Sequence, residues 1–131
     1  MGKLEERNLE VVKHWAEMYN HDVERFVREC YADNCTAASM LGGSKIEGHS
    51  PFRKLEQRVL KAAPRRKIRL DHTHAAGDVV VVEATLLDAD QGDAWQSPFC
   101  AVLTFKDGKI VEDRTYLDET RWPGGMQKMA Q

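Results

Sequence analysis

The sequence predicts an α+β protein, with three amphipathic helices in its first half and a strongly curved, mostly antiparallel sheet in its second. Two observations predict it. Apolar residues recur at helical spacing as far as Pro64 and alternate, as in strands, beyond it. Reversal signals at Ala76-Gly77, Gln91-Gly92-Asp93 and Asp107-Gly108 separate the later apolar runs, so sequential strands pair as a meander.

Leu9, Val12, Ala16 and Tyr19, flanked by Trp15 and Met18, mark the inner face of a first helix over residues 4–19. Asn20-His21-Asp22 breaks it. Asp22 then caps a second helix, whose Val23, Phe26, Val27 and Cys30 fall at i, i+3, i+4 and i+7 and which ends near Tyr31. Thr36 to Met40 adds a short strand before a Gly42-Gly43 turn. Ser50 caps a third helix with Pro51 in its first turn; Phe52, Leu55 and Val59 face inward. This helix stops before Pro64, because a residue ahead of proline is pushed out of helical geometry. Strands follow over residues 67–75, 78–88, 95–106 and 109–118.

The 131 residues, 42% apolar and 31% charged, make one domain spanning 1–131, large enough for a core and one enclosed pocket. A net charge of −2, from 19 basic and 21 acidic side chains, gives no field that would draw the molecule onto nucleic acid or anionic lipid. The basic group Lys61, Arg65, Arg66, Lys67 and Arg69 straddles a helix C-terminus and has no interleaved aromatics, so it reads as a solvated corner. No apolar run approaches the roughly 20 residues of a membrane helix. Residues 1–6 have no apolar signal core, so we expect no membrane partner and a cytoplasmic location. Cys30, Cys35 and Cys100 include no CxxC pair and read as reduced packing residues.

Three segments carry a family resemblance: Asn20-His21-Asp22-Val23-Glu24-Arg25-Phe26 leading to Tyr31-Ala32-Asp33-Asn34-Cys35-Thr36; the Gly48 to Leu55 entry into the third helix; and Asp107 to Asp118. In these the chain resembles the nuclear transport factor 2-like superfamily, and within it the SnoaL-like group of polyketide cyclases, ketosteroid isomerases and limonene epoxide hydrolases. The resemblance implies a cystatin-like α+β barrel, in which helices close the mouth of a bent sheet over a cone-shaped cavity for a small, largely apolar molecule. It also implies a homodimer through the outer sheet face, where Arg114, Tyr116 and Asp118 are candidate contacts. Two known sets of reactive residues are not retained. The epoxide hydrolase Arg and two Asp positions hold Ala84, Leu86 and Thr115; the ketosteroid isomerase positions hold Ser39, His14 or Trp15, and Ala101.

Strand alternation gives a separate view of what faces the cavity. With Thr115 inward, Val111, Asp113 and Leu117 point inward too, which makes Asp113 an acid among apolar neighbours and a candidate general base or acid. Its structural alternative is an Asp held by a backbone donor or by Arg114, and a bulge would reverse the parity. His72 and His74 share a face with Ile68 and Leu70. They are candidates for Asp113's proton-transfer partner and for ligand contact, or else lie exposed at a fraying strand end near Gly77. Trp15, Met18, Tyr19, Met40, Trp95 and Phe99 line or floor the cavity, or form plain core. No metal site is expected: His72-Thr73-His74 lacks companion ligands at a suitable spacing. The reading is a cofactor-independent enzyme for a small apolar oxygenated molecule, acting by isomerisation, cyclisation, dehydration or hydrolysis, with Asp113 and His72 catalytic. The alternative is a non-catalytic ligand-binding or dimerisation module of the same fold.

Overall fold

The computed structural model describes residues 2–124. Helix α1 (Lys3–His21) presents Val12, Trp15, Ala16, Met18 and Tyr19 to the interior along one stripe. Asp22, with extended backbone, ends α1 by its N–H bond to the Met18 carbonyl, and its side chain starts α2 (Val23–Cys30) by accepting the backbone N–H groups of Glu24 and Arg25 at 3.1 and 3.2 Å. From α2 the chain passes directly into β1 (Tyr31–Ser39), five residues earlier than the sequence predicts. A turn through Gly43, at φ 78°, leads into β2 (Ser44–Glu47), which alternation did not reveal. Helix α3 (His49–Ala62) is preceded by Gly48 at φ 82° in the capping position, not by Ser50, and buries Phe52, Leu55, Glu56 and Val59. The strands β3 (Arg66–Ala76), β4 (Val79–Asp88), β5 (Gln96–Lys106) and β6 (Lys109–Tyr116) complete the sheet.

The sheet runs β2-β1-β6-β5-β4-β3. All neighbours are antiparallel except β1 and β6, which are parallel; a meander alone would not have brought β1 to that place. It curves without closing, leaving β2 and β3 as edges, so the expected barrel is an open cone. The three helices pack on it, and the core joins Val12, Phe26 and Val59 from the helices to Val80, Val82, Leu86 and Leu103 from the sheet. No helix of the described residues is long and apolar enough to cross a membrane.

Two bulges decide which side chains face inward. In β3 the register passes from Leu70 opposite Ala84 to His72 opposite Glu83, leaving Asp71 without a partner. In β6 it passes from Ile110 opposite Phe105 to Glu112 opposite Thr104, leaving Val111 as the extra residue. Ile110, not Val111, is therefore the buried residue at the start of β6, while Asp113 beyond the bulge keeps its inward place.

Candidate functional site

Between the helices and the inner face of the sheet lies a pocket of about 300 Å³. Its walls are aromatic: Trp15 and Tyr19 from α1, Phe26 from α2, Tyr31 from β1, Phe52 from α3 and Phe99 from β5. Phe26 sits at the centre of the cluster, with ring centroids 5.2 to 6.0 Å from Trp15, Tyr19, Tyr31 and Phe52. Trp122, beyond the sheet, closes one side by standing edge-on to Phe99 at 5.2 Å.

Asp113 enters this apolar space from β6 and is only 6% exposed. Its carboxylate accepts the Tyr31 hydroxyl at 2.6 Å and the Thr115 hydroxyl at 2.5 Å. Tyr31 in turn accepts the Trp15 indole N–H at 2.9 Å. Among the described residues, the hydrogen bonds to the acid come from neutral hydroxyls. Burial pushes the Asp113 carboxyl above its ordinary range, and the Thr115 and Tyr31 hydrogen bonds pull it partway back. Burial and the adjacent negative charge of Asp113 hold the Tyr31 phenol protonated.

A second acid, Glu56 of α3, lines the same pocket. Burial pushes its carboxyl up to about 7; the Arg66 guanidinium opposes this and the Asp113 charge adds to it. Arg66 is itself buried, stacked 4.2 Å from the Tyr19 ring centroid and donating to the Tyr19 backbone carbonyl at 3.1 Å. The solvated-corner reading is thus corrected for this residue. Arg66 starts β3 on the face shared with Ile68, whereas Lys61, Arg65, Lys67 and Arg69 are exposed.

Of the residues singled out from the sequence, the pocket brings together Asp113, Thr115, Trp15, Tyr19 and Phe99. His72 and His74 are corrected. The Asp71 bulge turns His72 to the side of Glu83, and His74 lies exposed, with Nε2 3.5 Å from the Glu83 carboxylate. Met40 is also outside: it follows the inward Ser39 and so points outward, 40% exposed. Trp95 is in the loop before β5, where the Arg121 guanidinium lies 4.9 Å from its ring centroid. Met18 is core. Tyr31, Glu56 and Trp122 also line the pocket, and strand alternation gives no sign of them. Glu56 had a signal, since Phe52, Leu55, Glu56 and Val59 stand at i, i+3, i+4 and i+7, and the acid occupies a place on the apolar stripe. Among the described residues no group of three or more His, Cys, Asp or Glu side chains is placed to hold a metal ion.

The sequence profile of the SnoaL-like domain matches residues 11–113, most of the chain. The chain belongs to the SnoaL-like domain family. Its solved structural neighbours lie in the same group. A candidate SnoaL-like polyketide cyclase from Jannaschia sp. CCS1 superposes with a TM-score of 0.78 at 20% identity, with 90% of each chain covered. A protein with a ketosteroid isomerase-like fold from Catenulispora acidiphila, solved in complex with trimethylamine, gives 0.71 at 19% identity over 82% of this chain and 84% of that one. An LEH-like epoxide hydrolase from M. tuberculosis gives 0.67 at 21% identity over 95% and 89%. At these identities the likeness establishes the fold of this SnoaL-like domain. No curated protein sequence matches it.

Proposed function

We propose that this SnoaL-like domain takes a small, largely apolar oxygenated molecule into its pocket and carries out a cofactor-independent acid-base reaction on it, with Asp113 as the proton-transferring group. The observation that carries this reading is the setting of Asp113: a carboxylate inside an aromatic pocket, bonded among the described residues by the Tyr31 and Thr115 hydroxyls alone. A carboxylate has about four acceptor sites, so two hydroxyl donors fix its orientation and leave it able to take a proton. The raised proton affinity of Asp113 suits the removal of a proton beside a carbonyl and its return to another carbon of the same molecule. The Ser39 hydroxyl, buried in the pocket wall with no partner among the described residues, is placed to donate to a developing negative oxygen. Tyr31 and Thr115 are positioning residues.

The test is a turnover screen against terpenoid epoxides, cyclic enones and 1,3-diketones, with wild-type protein and Asp113→Asn. We expect conversion of at least one class, and a loss of about a hundredfold to ten-thousandfold in Asp113→Asn with an unchanged circular dichroism spectrum. Undiminished turnover in that variant removes Asp113 from the mechanism.

A second reading is binding of a small amine without chemistry. It is favoured by the trimethylamine complex of the Catenulispora acidiphila neighbour, together with aromatic faces beside a buried carboxylate in this pocket. Trimethylamine raising the melting temperature of the wild type, with no compound of the screen turned over, would select it.

A further inference from the structure

Besides the half-buried Ser44 and the exposed Lys45 and Lys54, which also line the pocket, its polar groups come from two sides. The sheet contributes Asp113 and Thr115 from β6 and Ser39 from β1, the last paired with Thr115 in the parallel register. The helices contribute Tyr19 from α1 and Glu56 from α3. On the sheet side the acid is satisfied by its hydroxyl donors. On the helical side, the Tyr19 hydroxyl and Glu56 Oε2 are buried and make no hydrogen bond among the described residues. Tyr19 is 5% and Glu56 7% exposed, so bulk water does not serve them freely. The Arg66 guanidinium spends its Nη2 on the Tyr19 backbone carbonyl and its face on the Tyr19 ring, while its Nε is a third buried atom without a partner among the described residues. Tyr19 and Glu56 line the same pocket; burial and the Glu56 charge push the Tyr19 phenol up, and Arg66 opposes them. Buried polar atoms in native proteins are paired with few exceptions, and here α1 and α3 each bring an unpartnered one to the wall of the same pocket.

We infer that Tyr19 and Glu56 form a second polar subsite on the helical side of the pocket, which binds a second oxygen of the substrate. The inference rests on the reading that Asp113 acts at the substrate's other oxygenated end. Tyr19 donates its O–H to that second oxygen. Glu56, in its neutral form, donates a second hydrogen bond to a carbonyl; as a carboxylate it accepts one from a hydroxyl. Phe26 and Phe52 line the same pocket and suit an apolar substrate body. The substrate class is therefore a small molecule with an apolar body and two separated oxygen functions, a diketone or hydroxyketone, in preference to a hydrocarbon with a single epoxide or ketone.

The probes are decal-2-one and decalin-2,6-dione, one body with one or two carbonyls, and the measurement is calorimetric affinity. Wild type is expected to bind the dione about tenfold more tightly, the worth of one satisfied buried hydrogen-bonding site. Tyr19→Phe and Glu56→Leu should each lower affinity for the dione toward that for the monoketone, leaving the monoketone within about threefold; Glu56→Gln, which still donates, should keep much of the preference. Equal affinity for the two probes in wild type, or a preference that survives in the Tyr19→Phe, Glu56→Leu double variant, overturns the subsite. Failure to bind either probe overturns it as well. A preserved preference without turnover of any dione or hydroxyketone leaves the subsite standing and refutes only the role of Asp113.

Discussion

Glu56 occupies a position that packing alone would give to a leucine, between Phe52 and Val59 on the inner stripe of α3. Its cost is legible in its proton affinity. The carboxyl is pushed from 4.5 to about 7, chiefly by burial, so the folded protein prefers the protonated form. The contribution of this group to stability is therefore complete below pH 4.5, declines as pH rises, and is lost above about pH 7. Asp113 is also raised, and its contribution runs in the same direction from its own lower starting point. Chemical denaturation at pH 5 and pH 8 should show wild type losing stability relative to Glu56→Gln by on the order of 2 kcal/mol over that interval. Parallel pH profiles for the two proteins would show that the Glu56 carboxyl is not desolvated as described. At this scale the sequence revealed Asp113 by alternation, but it misplaced His72 and His74 by the same rule. Both strands contain a bulge. The one in β6 falls before Asp113 and spares it, whereas the one in β3 falls between Leu70 and His72 and reverses everything after it.

The helices were legible because each combines a periodic stripe with a chemical boundary. Asp22 is the clearest such boundary, ending one helix region and opening the next with two side-chain hydrogen bonds. Asp22→Ala should cost about 1 kcal/mol in denaturant unfolding, and Asp22→Asn much less, since the amide oxygen still accepts. The strands β3 to β6 were legible to within two residues at each end because reversals such as Asp107-Gly108 admit few geometries; Asp107 and Gly108 both take positive φ, at 53° and 80°. Strand β1 was shortened and β2 missed. Residues 31–35 carry an Asp, an Asn and no clean alternation, and the partner that stabilises them, β6, lies far away in sequence. Local pattern cannot report a parallel pairing made by distant residues. Trp122 was overlooked for the same reason, because it belongs to no element and acquires its role only through Phe99.

For the molecule as a whole, the curved sheet separates two environments. Its inner face is the pocket wall. The outer face carries the Arg69, Asp71 and Thr85 cluster, in which Asp71 accepts from Arg69 Nε at 2.7 Å and from the Thr85 hydroxyl at 2.6 Å, while Tyr116 stands 40% exposed at the end of β6. The homodimer implied by the family resemblance would use this face. Sedimentation should then give a two-chain mass for wild type and a one-chain mass for Tyr116→Glu, and a one-chain mass for wild type would dispose of that dimer. The pocket itself is assembled from both extremities of the described chain, with Trp15 on the first helix and Trp122 near its end. An occupant touching both acts as a reversible crosslink across nearly the whole polypeptide. Filling the pocket would then slow the release of residues 117–124, which carry Trp122, by the same mass action that stabilises the fold.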